Sequence, residues 1–217
     1  MTSRIVTLLL LVGLAFSALA LVPQLRAWRL PGDHSTYEPQ QPIAYSHRLH
    51  AGELSIPCQY CHSGAETSRH AGIPAASVCM NCHAYITAPR SAVRAEEELA
   101  KKEKRKSRRV VSAELAKLYD AVGAGPDMKP DPNRATKAIQ WVRIHHVPDF
   151  VAFDHRPHVA GGVACQTCHG PVETMERVRQ VETLSMGWCL QCHRQSNGVV
   201  VNGRPLQGTT DCAACHI

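Results

Sequence analysis

The chain has 217 residues, a formal net charge of +6 and 44% hydrophobic residues, which is the length of one large or two small domains. Only 5% of the residues are aromatic, while ten are cysteine and thirteen are histidine. This composition argues against a coiled coil, a polytopic membrane protein and a disordered tail, and the charge is weak evidence for any partner. Because few large aromatic side chains are present, we expect the core to be built on something other than side chains.

An apolar run near the N-terminus predicts a transmembrane anchor in residues 1–24. Arg4 precedes the run, which covers residues 5–22 and is long enough for a tilted span. The same run has the form of a signal peptide with a cleavage point after Ala20. Both alternatives send the rest of the chain out of the cytoplasm. We favour an uncleaved anchor, followed by a Pro-rich tether in residues 25–44.

The cysteines repeat one pattern, C-x-x-C-H, which is the attachment signature of c-type haem. Two thiols three positions apart reach the two vinyl groups of one porphyrin, and the adjacent histidine supplies the proximal iron ligand. Zinc is the weaker alternative, because it does not require a histidine directly after the second cysteine. The pattern predicts five covalently bound haem c groups at motifs 1 to 5, which are Cys58/Cys61/His62, Cys79/Cys82/His83, Cys165/Cys168/His169, Cys189/Cys192/His193 and Cys212/Cys215/His216.

Two similar segments precede motifs 1 and 3 and predict distal iron ligands. The first lead-in, Y-S-H-R-L-H, covers residues 45–50, and the second, F-D-H-R-P-H, covers residues 153–158. The first histidine of each stands 11 or 10 residues before the next cysteine motif, so the segments form an internal repeat. The distal ligands predicted from this repeat are His47, His50, His155 and His158.

The fifth distal ligand is expected in W-V-R-I-H-H-V-P, where His145 is favoured over His146. His70 lies in a Ser/Gly/Pro-rich loop and is expected at the surface, and His34 is expected to be solvent-exposed. Met186 stands three residues before Cys189. It is either an axial thioether ligand or a residue that packs on a porphyrin face.

The segments between the motifs predict the domain organisation. Residues 45–90 form a dihaem unit and residues 153–217 a trihaem unit, with a helical insert and connector, residues 91–152, between them. Within the insert, an apolar stripe at helical spacing predicts a helix over residues 91–125. Its basic run, K-K-E-K-R-K-S-R-R, is expected to be a solvated or docking face, and no nucleic-acid partner is expected.

The aromatic-x-H-x-x-H lead-ins before C-x-x-C-H resemble the small multihaem cytochromes of the c3/c7 type. In that type the first histidine ligates the following haem and the second a haem further along the chain. The resemblance implies a fold that is mainly α-helical and irregular and is built around covalent haems, here with one N-terminal transmembrane helix. It covers residues 45–83 and 153–216.

Longer strings, among them A-G-I-P-A-A-S-V-C-M-N-C-H, C-Q-T-C-H-G-P-V-E-T-M and L-S-M-G-W-C-L-Q-C-H-R, resemble the pentahaem cytochrome c subunit of alternative complex III. That complex is a bacterial quinol:acceptor oxidoreductase. The resemblance implies a single-pass protein of the cytoplasmic membrane with its haems on the periplasmic side. It implies partner subunits of three kinds: an iron–sulfur subunit, polytopic quinol-site subunits and a monohaem cytochrome c. It also implies His47, His50, His145, His155 and His158 as distal ligands.

The expected function is therefore an electron relay from a quinol-oxidising membrane complex to a monohaem cytochrome or terminal oxidase. Because all iron ligands are filled in this interpretation, no catalytic residue or substrate site is expected on the chain. Two alternatives remain: a soluble periplasmic electron shuttle, which cleavage after Ala20 would produce, and a multihaem reductase with one open haem. All five motifs end in histidine, which disfavours the reductase.

Overall fold

The computed structural model describes residues 2–27 and 34–216, and it consists mainly of short helices joined by irregular segments. In chain order the α-helices are α1 Thr2–Ala27, α2 Cys58–Cys61, α3 Ala76–His83, α4 Arg90–Lys102, α5 Ala113–Ala121, α6 His155–Ala160, α7 Cys165–His169, α8 Met186–Ser196 and α9 Cys212–Cys215. A π-helical turn covers Arg48–Glu53, and 3₁₀ turns cover Ser63–Ala65 and Val172–Thr174. Two short antiparallel strands, β1 Val200–Val201 and β2 Arg204–Pro205, form a hairpin before motif 5.

The predicted N-terminal helix is present as α1. Its 26 residues make a rod of about 39 Å at 1.5 Å per residue. The window Arg4–Leu21 is apolar enough to cross a membrane, and residues 4–21 are exposed along its whole length. A rod that long and that apolar suits a lipid bilayer, and a signal sequence has the same properties.

Each cysteine motif lies on a helical turn. Such a turn places residues i and i+3 on the same side, so both thiols of a C-x-x-C pair face one way and the histidine follows directly. Two of these turns are capped by side chains. Ser185 Oγ accepts a hydrogen bond from Trp188 N at the start of α8, and Asp211 accepts one from Ala213 N at the start of α9. These caps fix where the turn begins and hence where the thiols point.

The single helix predicted over residues 91–125 is wrong, because the structure contains α4 and α5 with an irregular link between them. Arg105 turns back to form an ion pair with Glu96 at 2.5 Å, and Lys104 adopts a left-handed φ of 53°. A second start follows at Ser112, whose hydroxyl caps α5 by accepting from Leu115 N. The reversal in the basic run therefore divides the apolar stripe between two helices.

The apolar core is thin, as the low aromatic content predicts. The buried hydrophobic residues are mostly alanines, and the full set within the described part of the chain is Ala65, Ala88, Ala100, Leu118, Tyr119, Ala121, Ala124 and Met175. Most of them lie where α5 packs beside the end of α3. There Tyr119 donates a hydrogen bond to His83 O at 2.7 Å, and Thr87 donates to Val110 O at 2.5 Å. A core this small leaves most of the polypeptide around the cysteine motifs without apolar packing from side chains.

The two units contact each other reciprocally, through main-chain and side-chain hydrogen bonds. The loop after motif 1 contacts the second lead-in, where His155 N donates to Arg69 O at 3.2 Å and Arg69 Nε donates to Phe153 O at 2.9 Å. The loop after motif 3 contacts the first lead-in, where Arg48 N donates to Met175 O at 2.9 Å. Arg48 also forms an ion pair with Glu176. Each repeat is thus supported by the equivalent loop of the other.

A glycine allows the closest of these approaches. Gly52 lies in the π-helical turn Arg48–Glu53, and its α-carbon faces the main-chain carbonyl of Glu173 in the 3₁₀ turn Val172–Thr174. A β-carbon at this position would overlap the Glu173 carbonyl, which as main chain cannot rotate away. Residue 52 is therefore restricted to glycine by the contact between the two units.

Candidate haem sites

The first lead-in brings its two histidines opposite two motif histidines. The rings of His47 and His62 lie 6.5 Å apart between centres, with an angle of 4° between their planes. The rings of His50 and His83 lie 6.1 Å apart at 61°. His47 therefore faces the motif that follows it, and His50 faces the next one, which is the arrangement expected from the c3/c7 resemblance.

The second lead-in repeats this geometry. His155 and His169 lie 6.4 Å apart with an interplanar angle of 8°, and His158 and His193 lie 5.9 Å apart at 32°. The aromatic residue that opens each lead-in also has matching contacts. Tyr45 contacts His47 edge-on at 4.8 Å and 83°, and Phe153 contacts His155 edge-on at 4.8 Å and 84°. The sequence repeat is thus a structural repeat.

The spacing of these four ring pairs fits one iron between each pair. An imidazole nitrogen binds a first-row transition metal at about 2 Å and lies about 1 Å from the centre of its ring, so two imidazoles on opposite sides of one metal place their ring centres about 6 Å apart. The observed separations run from 5.9 to 6.5 Å. These separations match a six-coordinate bis-histidine haem.

The Nδ1 atoms of three motif histidines are held by main-chain carbonyls. His62 Nδ1 lies 2.7 Å from Gly72 O, His83 Nδ1 lies 2.8 Å from Ile86 O, and His193 Nδ1 lies 2.6 Å from Thr209 O. A carbonyl only accepts, so each Nδ1 carries the proton and donates. Each Nε2 then keeps its lone pair for a metal.

The lead-in histidines are oriented in the same way with one exception. His50 Nδ1 lies 2.8 Å from Ser46 O, His158 Nδ1 lies 2.8 Å from Asp154 O, and His155 Nδ1 lies 3.0 Å from Arg69 O. His47 Nδ1 is buried and has no hydrogen-bond partner among the described residues. The sequence could not identify these partners, because every residue has a main-chain carbonyl.

Burial keeps two of these imidazoles neutral. It is the largest cause that lowers the pKa of His47 to about 4, and the neighbouring His62 and His50 lower it further. Burial likewise lowers the pKa of His169 to about 4, with contributions from His155 and His62. A neutral imidazole is the form that binds a metal, so both sites are ready for a metal at neutral pH.

Motif 5 differs from motifs 1 to 4 in the residues that surround its histidine. The ring of His216 lies 5.7 Å from that of Phe150, and the main chains of Val151 and His216 form an isolated β-bridge. Among the ring contacts of the described residues, none places a histidine opposite His216. Phe150 had no signal in the sequence as a site residue, because its position depends on how the chain before the second lead-in folds back onto motif 5.

His145 and His146 lie elsewhere. His145 Nε2 is 3.3 Å from His169 Nδ1, and burial, with smaller effects from His169 and His146, lowers the pKa of His145 to about 3. The ring of His146 lies 5.1 Å from that of His34. The expectation that His34 is solvent-exposed is therefore wrong, since it is only partly exposed and packs beside His146.

The remaining candidates are at the surface. His70 is exposed, as predicted, and only its main chain takes part in the contact with Gly64. Met186, the first residue of α8, is 66% exposed. Within the part of the chain that the structure describes, neither has a contact that identifies it as an iron ligand.

The thiols of different motifs are neighbours in a linear order. Burial is the main cause that raises the pKa of the Cys79 thiol, and the nearby Cys61 thiol raises it further. Motif 2 therefore lies beside motif 1. Burial is the main cause that raises the pKa of the Cys165 thiol, and the charge and hydrogen bond of Cys58 raise it further. Motif 1 therefore adjoins motif 3.

The same relationship continues to the C-terminus. Burial, followed by Cys192 and Cys189, raises the pKa of Cys168 to about 11, which places motif 3 beside motif 4. Burial and then Cys215 raise the pKa of Cys189, so motif 4 adjoins motif 5. The attachment sites follow one another in the order 2–1–3–4–5.

Cys82 and Cys212 are assigned to haem attachment from the sequence. Both are exposed. The main-chain carbonyl of Cys82 accepts hydrogen bonds from Tyr85 N and Ile86 N, each at 3.0 Å. The predicted role of Cys82 rests on its spacing from Cys79, and that of Cys212 rests likewise on the motif alone.

Comparison with known proteins agrees with the geometry of the facing histidines. Residues 151–217 match the family of cytochrome c7 and related cytochrome c. This chain is a multihaem cytochrome c with a c7-type domain.

The chain also resembles a multihaem cytochrome c subunit over most of its length. It is 23% identical over 200 residues to the multihaem cytochrome c subunit of a menaquinone reductase from Nitratidesulfovibrio vulgaris strain Hildenborough, with 82% of this chain and 77% of that protein covered. The likeness therefore extends beyond the c7-type domain into the first unit and the connector. The function of this chain is electron transfer by a multihaem cytochrome c related to that subunit.

Proposed function

We propose that this protein is the pentahaem electron-relay subunit of a membrane quinone-oxidoreductase complex of the alternative complex III type. The observation that carries the proposal is the set of four facing histidine pairs at 5.9 to 6.5 Å, each beside a C-x-x-C turn. When bound, haem c supplies a one-electron iron couple. The residues of this chain attach, ligate, orient and space the groups.

The attachment residues in this proposal are the ten cysteines, with Cys82 and Cys212 included from their motifs, and the proximal ligands are His62, His83, His169, His193 and His216. The distal ligands at motifs 1 to 4 are His47, His50, His155 and His158. The assignment of His145 to the fifth iron stays a prediction from sequence, and the structure places His145 beside His169.

The linear order of the attachment sites supports a relay. Motif 2 lies at one end and motif 5 at the other, and Cys58 and Cys165 adjoin where the two units meet. The reciprocal contacts of Arg69 with the second lead-in and of Arg48 with the loop after motif 3 hold that junction together. Electrons that enter at one end have a continuous series of sites to the other.

The partners proposed for the relay are an iron–sulfur subunit, polytopic quinol-site subunits and a monohaem cytochrome c. The relative from Nitratidesulfovibrio vulgaris belongs to a menaquinone reductase, which supports a quinone-linked complex in a membrane. The helix α1 would anchor the haem units on the outer side of the bacterial cytoplasmic membrane. In this proposal electrons pass from quinol through this chain to the monohaem cytochrome or a terminal oxidase.

One observation favours the reductase alternative. The ring beside His216 is that of Phe150, which has no atom that can ligate iron. An open iron at motif 5 would bind carbon monoxide in the reduced protein, whereas a filled one would not. Binding at that motif together with turnover of a small oxidised substrate would replace the relay by an enzyme.

The proposal is tested by purification in a mild detergent followed by mass spectrometry of the co-purifying proteins. The relay predicts an iron–sulfur subunit and polytopic subunits in fixed ratio with this chain, and a peptide from residues 1–20 that shows the anchor is retained. A haem-loaded chain that begins after Ala20 and purifies alone from the soluble fraction would favour the periplasmic shuttle.

A further inference from the structure

His145 is placed beside a proximal histidine that already has a facing partner. Its ring centre lies 4.3 Å from that of His169, with 78° between the planes, and its Nε2 lies 3.3 Å from His169 Nδ1. On its other side, His169 faces His155 across 6.4 Å. Nδ1 of His169 is thus engaged by His145, and Nε2 is the ring nitrogen that remains to ligate an iron.

The protons of this pair are fixed by the requirement for a metal ligand. His169 needs its Nε2 lone pair for the iron, so its Nδ1 carries the hydrogen and donates it. His145 Nε2 must then be the acceptor, with its own hydrogen on Nδ1. A nitrogen whose lone pair accepts this hydrogen bond is not free to ligate a second iron.

The acceptor at motif 3 differs in kind from those at three other motifs. His62, His83 and His193 each direct Nδ1 at a main-chain carbonyl. At His169 the acceptor is a side chain that comes from the connector, 24 residues earlier in the chain. An imidazole can be replaced by substitution without moving the backbone, so the environment of motif 3 can be adjusted separately.

We infer that His145 is a positioning residue for His169, which orients that ring and makes it a stronger electron donor, instead of a ligand of the fifth iron. Groups that accept from a metal-bound histidine raise the basicity of the ligand and tune the metal. Stronger donation stabilises ferric over ferrous iron and lowers the reduction potential. Motif 3 lies at the junction of the two units, where its potential governs passage along the whole series.

The test compares His145→Phe, His145→Asn and His146→Phe in the full-length, haem-loaded protein. The readouts are the midpoint potentials from a spectroscopic redox titration, the electron paramagnetic resonance spectrum of the ferric protein, and carbon monoxide binding to the reduced protein. Phenylalanine keeps the planar ring and removes the acceptor, whereas asparagine keeps an acceptor oxygen. His146→Phe is the matched control, because the His146 side chain contacts Arg143 O and His34 but not His169.

With His145→Phe we expect one midpoint potential to rise and one low-spin signal to move, with no new site for carbon monoxide. His145→Asn should restore part of the shift, and His146→Phe should leave all potentials unchanged. A new high-spin iron that binds carbon monoxide in His145→Phe would overturn the inference and make His145 an axial ligand. Unchanged potentials in His145→Phe would overturn it as well.

The inference rests on the haem-binding role proposed above, and the two can fail separately. Intact-mass measurement of the unsubstituted protein shows whether haem is attached at all, and a protein without haem contradicts the proposed function. A fully loaded protein whose potentials do not respond to substitution of His145 contradicts this inference alone.

Discussion

The imidazole of His47 lies 6.5 Å from that of His62 and is turned only 4° away from it, and His155 and His169 repeat this relationship at 6.4 Å and 8°. The two near-parallel pairs belong to motifs 1 and 3, which adjoin where the units meet. The other two pairs, at 61° and 32°, belong to the motifs on either side. The duplicated sequence has therefore produced a centre of two similar sites flanked by two less similar ones.

Loss of a facing histidine should open one iron and leave the others unchanged. In His47→Ala the gap opposite His62 is empty, so we expect one haem in the protein to become high-spin when ferric and to bind carbon monoxide when reduced. Optical and electron paramagnetic resonance spectra measure both. His70→Ala is the control, since His70 is exposed. A fully low-spin spectrum in His47→Ala would show that His47 is not a ligand.

The contact between the two units should depend on the absence of a side chain at residue 52. Gly52→Ala forces the Arg48–Glu53 turn away from the Glu173 carbonyl, and a backbone shift of this kind costs about 1–3 kcal/mol of unfolding free energy. Thermal unfolding of the haem-loaded protein measures the loss. Gly125→Ala is the matched control, because its nearest neighbour is the movable side chain of Asp127 at 3.3 Å. Equal stability of the two variants would show that the units do not approach as described.

The stability contributed by the chain reversal between α4 and α5, where Arg105 pairs with Glu96, should depend on pH. The hydrogen bond from Arg105, together with one from Arg108 N, lowers the pKa of Glu96 from 4.5 to about 2. Because the folded pKa lies below the unfolded value, the stabilisation is complete above pH 4.5 and is lost as the pH falls from 4.5 to 2. Glu96→Gln should therefore lower stability slightly at neutral pH and remove this part of the pH dependence.

Thermal unfolding between pH 7 and pH 3 measures the effect, with Glu97→Gln as the control because Glu97 is exposed one position along the same helix. If both variants follow the pH dependence of the unsubstituted protein, the contact between Arg105 and Glu96 contributes nothing to stability.

The order of the attachment sites predicts that motif 3 is indispensable for passage between the units. Replacing Cys165 and Cys168 by alanine removes covalent attachment in the middle of the series. Electron exchange between motifs 1 and 2 on one side and motifs 4 and 5 on the other should then slow, because the site between them is lost. Rapid-mixing spectroscopy of the variant measures it. Unimpaired exchange would mean that another route connects the units.

The sequence predicted the parts of the site that depend on short spacings. The C-x-x-C-H turns and the two lead-ins are local patterns, and they retain their form in the structure because each is only a few residues long. The contact of His145 with His169 could not be predicted in this way. It depends on the path of the connector, in which residues 138–148 contain no helix or strand.

The helix break was also beyond a periodicity argument. The apolar stripe at Val111, Leu115, Leu118 and Val122 indicated a helix correctly from Ala113 to Ala121. What ends α4 is the tertiary pairing of Arg105 with Glu96, in a run whose positive charges repel one another along a continuous helix. The sequence shows which residues are charged, but it does not show that Arg105 is the one that folds back onto Glu96.

The intact mass of the denatured protein, isolated from its own host, gives the number of covalently attached haems. Thioether bonds survive denaturation, so the mass should exceed that of the polypeptide by five haems. Peptide mapping should place one haem on each C-x-x-C-H motif, including motif 2, where Cys82 is exposed. A mass increase of fewer than five haems, or a motif whose cysteines are free in every molecule, would contradict the account.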